Sequence, residues 1–388
     1  MFYETPRQKR VLVLTSLTHF VNDGVSMVPL SIFPLLLTQF GLAAPELGVV
    51  AAMWNITSVI GSPAVGHLSN RFRRNSALLV AGLLMMAVGV IGTGWSVTAG
   101  PLQSSLSLGL YPALVLFAAV GGLGSAVCHP IGGTVLSQAY PPSKTGKALG
   151  LNGAAGSLGR ALYPSIVVII ITTLNLPYGV IALGLLGLIP AALIGLFPLD
   201  TRGKTPGASG SIESLHRENE SADVAPLDRF AIINVLVLTT IAMIRGTFGQ
   251  GVVAFLSVFI VEVQLYSFSF GVGVIMMIAI VLGVPGQIVF GQFSDRHRIA
   301  SLAVITAGQS LAIIFYLYTL SNPIVAVACL AMFGLFTYSS YPVFLLAVSD
   351  SVPSRFLSLS NAIVWGVGLL GGNSIGPLVV GLAVGTDL

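Results

Sequence analysis

Residues 66–74 read GHLSNRFRR and residues 291–298 read GQFSDRHR, so one short basic turn occurs twice in the chain. A second pair follows in the same order, with Cys128–Pro130 matched by Ser340–Pro342 in Gly- and Ser-rich surroundings. Each member of this pair is followed by a further proline at the same distance. Two matches in the correct order predict a duplicated chain whose two halves have the same orientation.

Composition indicates that the duplicated units lie in a membrane. The chain has 388 residues, of which 55% are hydrophobic and 8% are charged. Its mean hydropathy is +0.94. Soluble domains carry roughly 25% charged residues, and a soluble fold with so few could not cover its surface. We therefore predict an all-α integral membrane protein.

Eleven apolar runs are long enough to cross a bilayer, whose core of about 30 Å needs about 20 helical residues. The first run is not a cleaved signal peptide, because it is long and carries His19, Asn22 and Asp23. The predicted spans are 11–37, 46–67, 76–97, 109–138, 146–174, 177–198, 230–262, 268–292, 299–320, 323–349 and 355–384.

The basic residues predict the topology. With these spans, every Lys and Arg except Arg160 and Arg245 falls on one side of the membrane, which the positive-inside rule makes the cytoplasm. We therefore expect a multi-pass protein of the cell membrane with a cytoplasmic N-terminus. Residues 1–199 are predicted to form a six-helix half, 200–229 a polar cytoplasmic linker, and 230–388 the second half. The net charge of +4 thus reflects topology, and no nucleic-acid partner is predicted.

These features resemble the major facilitator superfamily, through the turn G-x-x-x-(D/N)-R after spans two and eight, six spans in a half and the central linker. Within it, residues 16–23 (SLTHFVND), 33–36 (FPLL) and 121–130 resemble the fosmidomycin-resistance type of efflux transporter. The resemblance implies a two-half helical bundle that works by alternating access in the lipid bilayer. It also implies a small-molecule substrate, protons as partners, a monomer and no cofactor.

The chain departs from the superfamily pattern in three places. The superfamily has twelve spans and we find eleven, so a last helix is expected to be absent from this sequence. Asn70 replaces an Asp of the turn, which is expected to weaken the charge latch in the first half while Asp295 keeps it in the second. Arg160 stands where related transporters have a small residue. The resemblance assigns the conformational turn to Gly66, Asn70, Arg71, Arg74, Gly291, Asp295 and Arg296.

Asp23 is the only acidic residue near the middle of a predicted span. An ionised carboxylate at that depth is costly unless it is paired or hydrated. His19 and Asn22 are expected on the same helix surface, which suits a proton-carrying group facing a wet cavity. His129 is the next candidate for proton coupling. The alternatives are a polar patch that only ties helices together and, for His129, an imidazole that satisfies carbonyls freed by Pro130.

Arg160 and Arg245 are predicted to recognise an anion together in a central cavity. A guanidinium stays charged in any site, and Asp23 can neutralise only one of the two. The alternative for each is an Arg that points along a helix to carbonyls at its end. The other predicted substrate-binding residues are Asn22, Asn152, Gln250 and Tyr341, although amides also serve as links between helices.

The predicted function is secondary active transport, with proton-coupled export of a small anionic or drug-like solute. Uptake or facilitated diffusion of an organic anion, and a membrane sensor built on the same scaffold, remain alternatives. An enzyme is not predicted, because one carboxylate and separated histidines do not form paired acids or a nucleophile with its base. Two isolated cysteines, Cys128 and Cys329, give no support for a metal site or a disulfide framework.

Overall fold

The computed structural model describes residues 5–72, 74–98, 109–199, 228–264, 266–294 and 296–385, and in these ranges all regular structure is helical. We number the helices α1 to α11 in chain order. They are α1 Pro6–Phe40, α2 Ala44–Phe72, α3 Asn75–Ser96, α4 Leu110–Ala139, α5 Pro142–Leu174, α6 Leu176–Leu196, α7 Arg229–Val263, α8 Phe270–Ser294, α9 Arg298–Tyr318, α10 Pro323–Tyr338 with Ser340–Ser351, and α11 Ser354–Ala362 with Ile363–Leu370 and Gly371–Val384.

Each predicted span corresponds to one of these helices. Among the described residues, 10 helices are long and apolar enough to cross a membrane by length and composition. The remaining predicted span, 323–349, is divided at Ser339 into helices of 16 and 12 residues. The all-α membrane fold is confirmed, and the chain is a multi-pass membrane protein. The predicted linker lies outside the described residues except for its last two positions.

Prolines determine where the long helices break. A proline at position i lacks the N–H that would pair with the carbonyl of residue i−4, and its ring crowds that carbonyl. In the described ranges, five helices are interrupted three residues before a proline. The pairs of break and proline are Ser26 and Pro29, Val127 and Pro130, Gly187 and Pro190, Leu282 and Pro285, and Ser339 and Pro342.

Two further irregularities are π-helical turns in α7 and α11, at Phe259–Val263 and Ile363–Leu370. They widen the helix locally without a proline. Such turns are rare and occur frequently at functional sites. α7 and α11 pack against each other along much of their length.

The helices before the linker, α1–α6, contact the helices after it, α7–α11, mainly through two pairs. α2 packs against α11, and α5 packs against α8. At both contacts a glycine allows backbones to approach: a Cβ on Gly48 would lie 2.5 Å from the Pro377 carbonyl oxygen, and one on Gly273 would lie 2.7 Å from the Cα of Ser165. In the duplication predicted from the sequence, α2 is equivalent to α8 and α5 is equivalent to α11, so these two contacts are the pair that such a duplication predicts.

These contacts lie at one end of the bundle. Gly48 and Gly273 are in the first turns of α2 and α8, far from the basic turns that follow the other ends of these helices. Close by, the Ser257 hydroxyl of α7 donates a hydrogen bond of 2.5 Å to the Leu30 carbonyl of α1. The bundle is therefore closed at the end opposite to the basic turns.

Candidate functional site

Asp23 lies in the last turn before the α1 break, and only 7% of its side chain is exposed. Arg160 of α5 places its Nη2 atom 2.7 Å from Asp23 Oδ2. Asn22 donates from Nδ2 to Asp23 Oδ1 at 3.0 Å. A buried carboxylate is tolerated when it has a counter-charge and hydrogen bonds, and this one has both.

Two imidazoles flank the same carboxylate. The Nε2 atom of His19 is 3.6 Å from Asp23 Oδ2, and the Nε2 atom of His129 is 3.7 Å from Asp23 Oδ1. The two rings are in edge contact, with centroids 4.8 Å apart. Asn152 Oδ1 lies 2.8 Å from His19 Nδ1; since an amide oxygen only accepts, Nδ1 carries the proton in this arrangement. That leaves Nε2 of His19 as a proton acceptor beside Asp23.

A glycine on α5 explains why α1 and α5 come close enough for this pairing. A Cβ on Gly156 would lie 2.4 Å from Cδ2 of His19, so only glycine leaves room for the ring. Small residues at helix contacts allow such approach in membrane proteins. Gly156 was not among the residues predicted for the site; Gly159 lies at the same helix contact, where a Cβ would be 2.0 Å from the Phe20 carbonyl oxygen.

The cluster is reachable from outside the protein core. The side chain of His129 is 54% exposed and that of Arg160 is 29% exposed, although both contact the buried Asp23. Exposed polar groups above a buried charge are the arrangement expected at the wall of a hydrated cleft.

The second half contributes neutral groups at this level. The ring of Tyr338, the last residue of the first α10 segment, lies with its centroid 5.4 Å from Arg160 Cζ. Its hydroxyl is buried and lies close to the same guanidinium. Gln287 of α8 donates to the Ser157 hydroxyl of α5 at 3.2 Å. Tyr338 and Gln287 thus link the two halves beside the charged cluster.

Arg245 lies in different surroundings from Arg160. Only 4% of the residue is exposed, and its Nη2 atom donates to the Phe336 carbonyl of α10 at 2.9 Å. Its Nε and Nη1 atoms are buried without partners in the part of the chain that the structure describes. The structure therefore separates Arg245 from the cluster around Asp23 and Arg160, and its one hydrogen bond from the guanidinium among the described residues is to the Phe336 carbonyl.

The remaining predicted residues are spread over the bundle. Gln250 lines a small cavity of about 30 Å³ between α1, α2 and α7, together with Trp54 and Asn55. The side chains of Asn70 and Tyr341, and all of Asp295, lie outside the described residues. The turn residues Arg71, Arg74 and Arg296 are exposed. An ion pair that was not predicted, between Arg298 and Asp350, joins α9 to the end of α10.

Three groups of the cluster are of the kind that binds metals. The ligand atoms of His19, Asp23 and His129 lie within 4.8 Å of one another. However, Arg160 already occupies one carboxylate oxygen, and a divalent cation would have to bind beside this guanidinium. Like charges at that distance repel each other. The donor set therefore does not favour a divalent cation.

A broken-helix bundle with two equivalent halves and a charged cluster in the middle defines the class of multi-pass α-helical transporters. The chain belongs to the Major Facilitator Superfamily, whose model matches residues 15–377. The resemblance seen in the sequence is confirmed at this level.

Known transporters resemble this chain in sequence and in fold. An uncharacterized MFS-type transporter of Bacillus subtilis is 24% identical over 375 residues, which cover 95% of this chain and 86% of that protein. The fosmidomycin resistance protein of Escherichia coli is 27% identical over 169 residues, 44% of this chain and 37% of that protein. A bacterial homologue of the human lysosomal transporter Spinster, solved inward-facing and unoccupied, has a TM-score of 0.75 at 16% identity and covers 98% of this chain and 83% of its own.

Proposed function

We propose that this chain exports a small anionic or drug-like solute and couples its movement to protons. The main support for this proposal is the ion pair of Asp23 Oδ2 and Arg160 Nη2, which are 2.7 Å apart, with the exposed His129 beside it. Asp23 carries a titratable negative charge, and Arg160 carries a permanent positive charge that an anion can bind.

The pair links proton and anion binding through competition. While Asp23 is ionised, it competes with an anion for Arg160. When an anion takes Arg160, Asp23 is left buried without its counter-charge, and protonation removes the cost of that charge. Proton and anion binding therefore favour each other, and this coupling is reciprocal. His19 and His129 provide neighbouring proton acceptors through which the proton can reach Asp23.

The direction of transport is a separate part of the proposal. Similarity to the fosmidomycin resistance protein supports export. Cooperative binding of an anion and a proton, taken alone, is the arrangement expected for movement in the same direction, which makes uptake the competing function. We further propose that the protein acts as a monomer in the cell membrane, with the N-terminus and the basic turns in the cytoplasm, as the distribution of Lys and Arg supports.

The test is solute flux in proteoliposomes. Purified protein is first screened by thermal shift with anionic, neutral and cationic solutes, and fosmidomycin serves as the first anionic probe. Flux of the solutes that bind is then measured with the pH gradient in both directions. We expect anions to bind, and Asp23→Asn to abolish flux driven by the pH gradient while exchange at equal concentrations persists.

The control is Arg10→Gln, which removes an exposed guanidinium near the start of α1 and should leave flux intact. Unchanged pH-driven flux in Asp23→Asn would contradict the role of Asp23 and leave His129 as the coupling candidate. Binding without flux of any solute would favour a sensor, and flux that ignores the pH gradient would favour facilitated diffusion.

A further inference from the structure

The end of the first α10 segment is held by side chains. Three consecutive carbonyls, at residues 335–337, accept hydrogen bonds from side chains close to the break at Ser339. The donors are the Ser339 hydroxyl, Arg245 Nη2 and the Ser340 hydroxyl. The last carbonyls of a helix need partners that the helix itself does not supply. Of the three donors, only Arg245 comes from another helix.

The helix end also provides the counter-charge that Arg245 otherwise lacks. No acidic group is within ion-pair distance of Arg245 among the described residues. The carbonyl oxygens at an interruption of a helix carry partial negative charge that a buried cation can use as a partner. A guanidinium that is 4% exposed and bonded to the Phe336 carbonyl therefore has its main electrostatic partner in this helix end. Displacing the helix end would leave a buried cation without compensation.

The same helix end carries the aromatic ring that lies against Arg160. Tyr338 follows Phe336 by two residues and is the last residue before the break. Its ring centroid lies 5.4 Å from Arg160 Cζ, within the range of a cation–π contact. Its hydroxyl lies close to the same guanidinium, so the polar group that the tyrosine faces is Arg160. The position of the ring thus depends on the position of the helix end.

We propose that Arg245 is a positioning residue that holds the α10 end so that Tyr338 stays against Arg160. Through this contact it sets how readily Arg160 leaves Asp23 for a substrate anion, a role that rests on the function proposed above. Arg245 itself does not contact the solute. Removing Arg245 should therefore act on Arg160 only while Tyr338 is present.

The first measurement is hydrogen–deuterium exchange of the ligand-free protein, followed by mass spectrometry. Losing a charge-assisted hydrogen bond at the helix end should speed amide exchange near 336–341 by about tenfold to a hundredfold in Arg245→Gln. Arg245→Lys, which keeps the charge and one donor, should retain most of the protection. Arg298→Gln is the matched control, since Arg298 donates to the Leu346 carbonyl of the same helix. It should affect only the far end of α10.

The second measurement reads Arg160 directly, through its rate of modification by phenylglyoxal. We expect Tyr338→Ala and Arg245→Gln each to speed modification of Arg160, and the double variant to match Tyr338→Ala alone. Arg245→Lys should raise the rate of Arg160 modification less than Arg245→Gln does. If Arg245→Gln does not fold, Arg245→Lys takes its place in the comparison, with a smaller expected increase in that rate. A wild-type rate in the Arg245 variants, or effects that multiply in the double variant, would overturn the proposal. Neither measurement needs a transported solute. Failure of the flux experiment can therefore be distinguished from failure of the role proposed for Arg245.

Discussion

Replacing Arg160 with Gln should destabilise the protein by removing the counter-charge of Asp23. Removing one partner of a buried ion pair typically costs about 3–5 kcal/mol, because the other charge remains buried and unpaired. Here Asp23 is 7% exposed but Arg160 is 29% exposed, so water compensates part of the loss. We therefore expect about 2–3 kcal/mol for Arg160→Gln, at or below the lower limit of that range.

The order of the variants tests the reasoning more sharply than any single value. Asp23→Asn leaves the more exposed Arg160 unpaired and should cost less, about 1–2 kcal/mol. The double variant Asp23→Asn/Arg160→Gln has no charge left to compensate, and two amides can still form a hydrogen bond. It should lie within about 1 kcal/mol of the native protein, since removing both partners of a buried polar pair is often close to neutral.

The assay is thermal unfolding in one detergent at fixed pH. If 1 kcal/mol corresponds to about 2 °C in a chain of this size, Arg160→Gln should lower Tm by about 4–6 °C and the double variant by about 2 °C or less. Arg298→Gln is the control, because its pair with Asp350 is more exposed and should contribute little. A double variant as unstable as Arg160→Gln would show that Arg160 acts through packing rather than through the charge of Asp23.

Two further predictions concern helix contacts. Gly156→Ala should lower Tm and displace the His19 ring, since the new Cβ would lie 2.4 Å from it. The control is Gly153→Ala, which should be neutral or stabilising because nothing lies within 4 Å of the new Cβ. Thermal unfolding and nuclear magnetic resonance of labelled histidines measure the two effects. Ser257→Ala removes the hydroxyl that joins α7 to α1 at the closed end and should lower the ratio of closed to open form about fivefold, for a bond contributing about 1 kcal/mol. Spin-label distances across that end would show no change if the bond does not contribute.

The helical fold could be predicted from the sequence because a membrane span needs only length and low polarity. The positions of the breaks were not predicted, although each falls three residues before a proline. The reason is that a proline inside an apolar run does not always interrupt the helix: Pro63, Pro164 and Pro377 lie in continuous helices. Whether a helix breaks depends on which neighbouring groups satisfy the freed carbonyl, and sequence alone does not show those groups.

The sequence also predicted some of the site residues, but not which of them contact each other. An isolated Asp in the membrane demands a partner, so Asp23 and two candidate arginines could be named from the chain. The choice between Arg160 and Arg245 depends on which helix packs against α1, and that depends on the space at Gly156. Nothing in the sequence near Arg245 indicates that the Phe336 carbonyl lies within its reach, because the two residues are on different helices.

The duplication makes the uneven distribution of charge informative. Pro130 and Pro342 are equivalent, so Ala126 corresponds to Tyr338 and His129 corresponds to Tyr341. At these two positions the first half has an alanine and a histidine where the second half has tyrosines. A change of protonation in the first half can reach the second through contacts that respond to Arg160, and Tyr338 makes such a contact in the described part of the chain. Since Tyr338 is also the residue at the α10 break, the charge state of the cluster and the shape of this helix are expected to change together.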